Sequence, residues 1–442
     1  MVEWREMRAV RYEPIDPQFF IRNRERLRGL LKPNSIVILC ANDIMPTNAD
    51  GTMAFKQNSD LYYLTGVDQE ETVLVLMPDA VDPKDREWLF VKETSELIAI
   101  WEGDKLTKEA ARAATGIERV EWTSLFESSL HRLVPQADHI YLFTNEHLRA
   151  SVAVETANDR LVKDCQRRYP LHRYQRLAQL MNRLRIIKEP LEIQIIQQAC
   201  DITEAGFRRV LGFIKPGVGE WEIEAEFIHE FLRRGSRGFA YGPIIGSGKG
   251  ACVLHYVEND KICQDGEMVL MDVAAEYAGW NSDLTRTVPV NGRFSPRQRQ
   301  VYDAVLRVVR GANAILRPGI RILDYQKQVI EMMEGELIGL GLIDAKAAKA
   351  QGPDKPLVKK YFMHGTSHHL GVDVHDVFPP HEPVAEGMVF TIEPGIYIRE
   401  ENLGVRLEND VLIGKDSNLD LMAGIPIEAD EIEELMAKRS AG

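Results

Sequence analysis

Short apolar runs punctuate the first part of the chain and predict strands at Ser35–Cys40 (SIVILC), Thr72–Met77 (TVLVLM), Trp88–Val91 (WLFV) and His139–Thr144 (HIYLFT). Runs this short, bounded by polar stretches, suit buried strands rather than helices. Charged and apolar positions alternate at helical spacing over Phe19–Leu31. Strands separated by helical stretches predict an α/β domain. From Leu171 to Leu211 the pattern turns helical and is broken at Pro190. The residue before a proline disfavours helix, which places a domain junction in Leu184–Pro190. The expected domains are therefore 1–183 and 184–442. Beyond the junction, helices are predicted at Leu191–Ile214, Glu220–Arg234, Arg297–Leu316 and Ile322–Leu340. Extended segments are predicted at Met268–Val273, Thr285–Val290, Met388–Ile392 and Val405–Ile413, an α+β mixture.

The second half contains an internal echo. Gly266–Asp272 (GEMVLMD) and Gly387–Glu393 (GMVFTIE) each run from a glycine through an apolar strand to a carboxylate. Each then reaches a tyrosine, Tyr277 or Tyr397, and a second acid, Asp283 or Glu408. A histidine-bearing stretch precedes the first unit at His255 and the second at His375. Two units with two acids each suggest a duplication that closes around one centre.

Asp272, Asp283, Glu393 and Glu408 are all set among apolar residues, where an unpaired carboxylate is very costly. Ion pairs with the nearby Arg286 and Arg406 are the bland explanation. Histidines also concentrate: His364, His368, His369, His375 and His381 fall in one short stretch. His369 is expected to be structural and His381 exposed. Carboxylates with one or two imidazoles suit a divalent metal such as Mn, Fe(II), Co or Zn. Four carboxylates exceed the needs of one ion, and two could bridge a pair about 3.5–4 Å apart, with a shared water becoming the nucleophile.

Composition narrows the possibilities. The hydrophobic share of 45% and charged share of 27% are those of a soluble globular protein. A net charge of −13 argues against nucleic acid as a partner. The basic island Arg233–Arg237 (RRGSR) reads as a solvated loop or an anion contact. Five cysteines without a CxxC pair fit reduced thiols and a cytoplasmic location. The N-terminus is polar, without the pattern of a signal peptide, and no apolar run approaches the ~20 residues of a membrane span. Gly246–Gly250 (GSGKG) hints at a phosphate loop but lacks its glycine-to-lysine spacing, so a turn is expected there.

Four segments together resemble the signature of the proline-specific pita-bread metallopeptidases: Phe362–Asp376 (FMHGTSHHLGVDVHD), Ser282–Thr287 (SDLTRT), Thr391–Tyr397 (TIEPGIY) and Val405–Asp410 (VRLEND). Their order and spacing are similar to those of the aminopeptidase P family. Gln57–Gly66 (QNSDLYYLTG) resembles that family's N-terminal domain, so the resemblance spans nearly the whole chain. It implies an α/β N-terminal domain followed by an α+β pita-bread catalytic domain, the creatinase/aminopeptidase-like fold. It implies five metal ligands: Asp272, Asp283, His368, Glu393 and Glu408, with Asp283 and Glu408 bridging two divalent ions, most often Mn²⁺. His255, His364 and His375 are implied around the substrate, with Tyr397 beside them. Arg406 is implied behind a ligand, orienting a carboxylate. The implied activity is removal of the first residue from peptides with proline second, by a hydroxide bridging the ions. The alternatives are a prolidase, which cleaves Xaa-Pro dipeptides, and a non-catalytic relative that holds a peptide or partner protein. Family members also imply a homo-oligomer, a dimer or tetramer.

Overall fold

The computed structural model describes residues 11–151, 154–352, 356–377, 379 and 381–438. The first ten residues, part of the polar N-terminus noted above, lie outside the described residues. Contacts divide the chain into Glu13–Arg185 and Ile186–Gly442, the second unit also taking in Arg11 and Tyr12. No helix among the described residues is long and apolar enough to cross a membrane.

The first unit is built on one six-stranded mixed sheet. Its strands are β1 (Ser35–Cys40), β2 (Val73–Leu76), β3 (Glu87–Val91), β4 (Val120–Trp122), β5 (His139–Leu142) and β6 (Arg173–Arg176), in the order β4-β3-β2-β1-β5-β6. β1 lies antiparallel to β2 and parallel to β5. The four strands expected from apolar runs are the four central ones. The two unexpected strands, β4 and β6, are the edges, where short and polar sequences such as RYQR are favoured because an edge faces solvent. β6 also corrects the reading of Leu171–Leu211 as helical throughout, since the helix begins only at Leu177. Ile36, Ile38, Val75, Phe90 and Ile140 form the core of one face. The Gln57–Gly66 segment is a short helix, Ser59–Thr65, capped by Asn58, whose side chain accepts from the amides of Asp60 and Leu61. Gly66 ends it at φ 69°, and a Cβ there would collide with the Phe20 ring, so glycine is required twice over.

The second unit packs helices around two sets of short strands. The helices Pro190–Phe213, Glu220–Arg233, Pro296–Ile315 and Ile322–Gly339 agree with the expected ones to within a residue or so at each end. Ser295 and Gln298 form a capping box at the start of the third, with Pro296 at its first position. The remaining strands are β7 (Ile244–Ser247), β8 (Met268–Asp272), β9 (Glu276–Tyr277), β10 (Trp280–Asn281), β11 (Thr285–Pro289), β12 (Val389–Ile392), β13 (Gly395–Ile398), β14 (Leu403–Arg406), β15 (Asn409–Leu412) and β16 (Leu419–Asp420).

The internal echo is visible as two nested hairpins with the same pairing. β8 pairs with β11 and encloses the pair β9–β10; β12 pairs with β15 and encloses β13–β14. Val405–Ile413, expected as one extended segment, is two strands broken at Leu407 and Glu408. Asp272 and Glu408, expected within strands, stand like the other two acids at strand ends. Asp272 closes β8 and Glu393 follows β12; Asp283 precedes β11 and Glu408 precedes β15. At these points the backbone passes between the outer and inner hairpins. The two nested units are joined by hydrogen bonds from Glu408 N to Thr285 O (3.0 Å) and from Thr287 Oγ1 to Arg406 O (3.1 Å).

Candidate metal centre and active site

That junction brings Asp283 and Glu408 together with His368, while Asp272 and Glu393 fall outside this tight group among the described residues. One ligand atom each from Asp283, His368 and Glu408 lies within 4.8 Å of the others. Asp283 and Glu408 are buried, at 5% and 2% exposure. His368 reaches them from an irregular segment laid against β12, where its backbone amide donates to Thr391 Oγ1 (3.2 Å) and its carbonyl accepts from Thr391 N (3.0 Å). His368 Nε2 stands 3.4 Å from Asp283 Oδ2 and 3.7 Å from Glu393 Oε1. Its Nδ1 lies 3.0 Å from the carbonyl of His369, which can only accept, so Nδ1 carries a proton and Nε2 is the nitrogen turned to the acids. The cluster gathers carboxylates around one imidazole nitrogen: burial lowers His368, but the bond to Asp283 and the charges of Glu393 and Asp283 outweigh it and raise the imidazole above its ordinary value. Such a cluster fits a cation, and the carbonyl-anchored imidazole is the usual posture of a metal ligand.

The electrostatics agree. Burial, and then the charges of Asp283, Glu393 and Asp272, push the Glu408 carboxyl well above the usual range. Burial lifts Glu393 to about 7, against the opposing pull of His368 and Arg406. Burial also raises Asp272, with Arg406 opposing. These acids are held in a place that penalises their charge, and a divalent cation reverses that penalty.

Pairing with arginine explains only one of them. Arg406 Nη2 lies 2.6 Å from Asp272 Oδ2. Arg286 instead donates to the carbonyls of Thr285, Glu408 and Pro426 and to Asn409 Oδ1. Among the described residues, Asp283, Glu393 and Glu408 have no guanidinium or ammonium partner.

Arg406 is a hub with three arms. Beyond Asp272, its Nε donates to Thr285 Oγ1 (3.0 Å), which donates onward to Glu408 Oε2 (2.7 Å). Its Nη1 donates to the Tyr397 hydroxyl (2.9 Å), which lies 2.8 Å from His364 Nε2. His364 Nδ1 is 2.7 Å from the Gly365 carbonyl, so both ring nitrogens are engaged within the protein. Burial, then Arg406, lowers His364 to about 3 and keeps the ring neutral. His375 is exposed, with its ring 4.4 Å from that of His368 and nearly perpendicular to it. His255 is exposed too, and its charge is among those that lower His364. His369 is buried and His381 exposed.

Two polar partners escaped the sequence reading. Tyr241 donates to Asp272 Oδ1 (2.6 Å), and Thr285 supports Glu408. Thr285 lies within a quoted motif and could have been suspected from it. Tyr241 lies 31 residues before its partner and carries no local signal. The glycine-rich segment after β7 offers no phosphate cradle: the space beside Gly248 is filled by the Glu267 carboxylate.

A model of metallopeptidase family M24 matches residues 194–415, and one of the aminopeptidase P N-terminal domain matches residues 20–141. The Xaa-Pro aminopeptidase of Escherichia coli K12 is 34% identical over 437 residues, which cover 96% of this chain and 98% of that protein. The chain belongs to metallopeptidase family M24. Human Xaa-Pro aminopeptidase 3 is 31% identical, over 94% of this chain and 84% of its own length. Among solved structures, E. coli aminopeptidase P with the inhibitor Pro-Leu matches with a TM-score of 0.87 at 32% identity, covering 97% of this chain and 100% of that one. The architecture is thus the aminopeptidase P N-terminal domain followed by a pita-bread catalytic domain, and the chain is a metallo-aminopeptidase whose family implies divalent metal cofactors.

Proposed function

We propose that this enzyme removes the first residue from peptides with proline second, and that Asp272, Asp283, His368, Glu393 and Glu408 hold two divalent cations. The observation that carries the reading is the meeting of one ligand atom each from Asp283, His368 and Glu408 within 4.8 Å. The Xaa-Pro aminopeptidases, similar over nearly their whole length, support the substrate class. An oxygen-rich set with one imidazole suits Mn²⁺, and Co²⁺, Fe²⁺ and Zn²⁺ are accommodated by the same donors. The bound ions supply an acidified water as nucleophile and polarise the scissile carbonyl.

The chain's own residues supply order. Arg406 fixes Asp272 directly and Glu408 through Thr285. The His369 carbonyl fixes the face that His368 turns to the acids. His375, exposed with its ring against His368, and the exposed His255 would hydrogen-bond a bound peptide. His364 stays neutral and acts through Tyr397 on the orientation of Arg406.

The test is release of free arginine from Arg-Pro-Pro by protein stripped of metal and reloaded in turn with Mn²⁺, Co²⁺, Fe²⁺ and Zn²⁺. Cleavage of Arg-Pro-Pro but not Arg-Ala-Ala is expected. Absence of cleavage with all of them overturns the proposal, and cleavage of the dipeptide Arg-Pro alone converts it to a dipeptidase.

A further inference from the structure

The segment that presents His375 is tied down at its next residue. Asp376 Oδ2 lies 2.7 Å from Lys188 Nζ, and each side chain is 1% exposed. Lys188 stands just before the helix Pro190–Phe213, 188 residues away in sequence. Its backbone amide is bonded to the Gly387 carbonyl (2.9 Å), so the lysine is held at its root as well as its tip. Gly371 makes room for the pair: a Cβ there would collide with the Asp376 carboxylate and come within 2.9 Å of the Lys188 ammonium. Asn281 grips the same segment from the other side. Its side-chain amide donates to the carbonyls of Gly371 (3.1 Å) and Val372 (2.8 Å), and its backbone amide to Gly371 O (2.9 Å). Asp376 N closes the segment onto His369 O at 2.9 Å. His375 is the exposed residue between these anchors, with its ring against His368.

A wholly buried ion pair is a poor device for stability alone. The desolvation of both charges offsets their attraction, and apolar replacements of similar size are commonly neutral or stabilising. Its position, one residue from an exposed imidazole beside the candidate metal centre, supplies a different reason for it. We infer that Lys188 and Asp376 are positioning residues: the pair fixes segment 371–376 so that the His375 imidazole faces the peptide beside His368. Neither touches substrate. The inference rests on the proposed reading of His375 as a peptide-facing group.

Two variants test it. Lys188→Met/Asp376→Leu removes both charges together, so neither is left buried without the other, and the fold and the metal content are expected to survive. Gly371→Ala keeps both charges but drives them apart. Each is expected to lower kcat on Arg-Pro-Pro on the order of 10²-fold per folded molecule, the effect of a misplacement of about 1 Å, with KM little changed. Amide hydrogen exchange over 371–376 is expected to quicken by about tenfold or more while the rest of the unit keeps its protection. Wild-type kcat and wild-type exchange in either folded variant overturn the inference and leave the pair a structural contact only. If the double variant does not fold, Gly371→Ala decides alone. If the unaltered protein fails to cleave the peptide, the functional reading falls by that result, while the exchange comparison still decides whether the pair holds the segment.

Discussion

Glu192 lies in the first turn of the helix Pro190–Phe213, 1% exposed, one carboxylate oxygen accepting from Trp280 Nε1 (3.2 Å) and the other from its own helix start at Glu189 N (2.9 Å). Burial lifts its carboxyl to about 7, with Lys188 opposing. The folded value lies above the unfolded one near 4.5, so its stabilising contribution is fully present below that pH and is lost as pH rises through about 7. Glu192→Gln removes the titration. Stability measured by urea unfolding should lose up to about 3 kcal/mol of its fall between pH 4.5 and 7. An unchanged slope would show that the carboxyl does not titrate there. At this scale the chain announced its acids well, because a carboxylate flanked by apolar residues is anomalous in any sequence. It announced their supports badly. Lys188 and Tyr241 are ordinary residues until the fold brings them to Asp376 and Asp272.

Elements were legible where period and burial coincide. The central strands of the first unit and the long helices of the second bury one consistent face, and the sequence shows it. Edge strands β4 and β6 bury little and show little. The nested hairpins were half legible: the echo was plain, but the break between β14 and β15 was not, since Leu407 looks like one more strand residue. That break places Glu408 beside β11, where Thr285 supports it. Thr285→Val keeps the size and β-branching of the residue but removes the hydroxyl that links Arg406 to Glu408. Divalent-metal affinity, followed by calorimetric titration of the stripped protein, should fall about 10–100-fold, the usual cost of losing a group that orients a ligand. An affinity equal to the unaltered protein's would mean that Glu408 is held by the backbone bond from its amide to Thr285 alone.

For the molecule as a whole, the acids proposed to hold the cations are a liability without them. Asp272, Glu393 and Glu408 are raised by burial and by the charges of neighbouring carboxylates, Asp283 among them, so the metal-free protein carries electrostatic strain at neutral and higher pH. Glu393 sits above its ordinary value, at about 7; what it contributes to the metal-free protein is present at acid pH and lost as pH rises through that value. Metal binding has the opposite dependence, since protons compete for the same oxygens. Cations at about 100 times their dissociation constant add about 2.7 kcal/mol to the folded state. The gap in Tm between chelated and metal-loaded protein should therefore be small at pH 5 and widen towards pH 8. Glu393→Gln should cross the order of stabilities at pH 8: more stable than the unaltered protein when both are chelated, because one repelling charge is gone, and less stable when both are supplied with metal, because one ligand is gone. A variant that is less stable in both states would mean that Glu393 serves the fold rather than the ions, and the metal centre would then have to be drawn from Asp283, His368 and Glu408 without it.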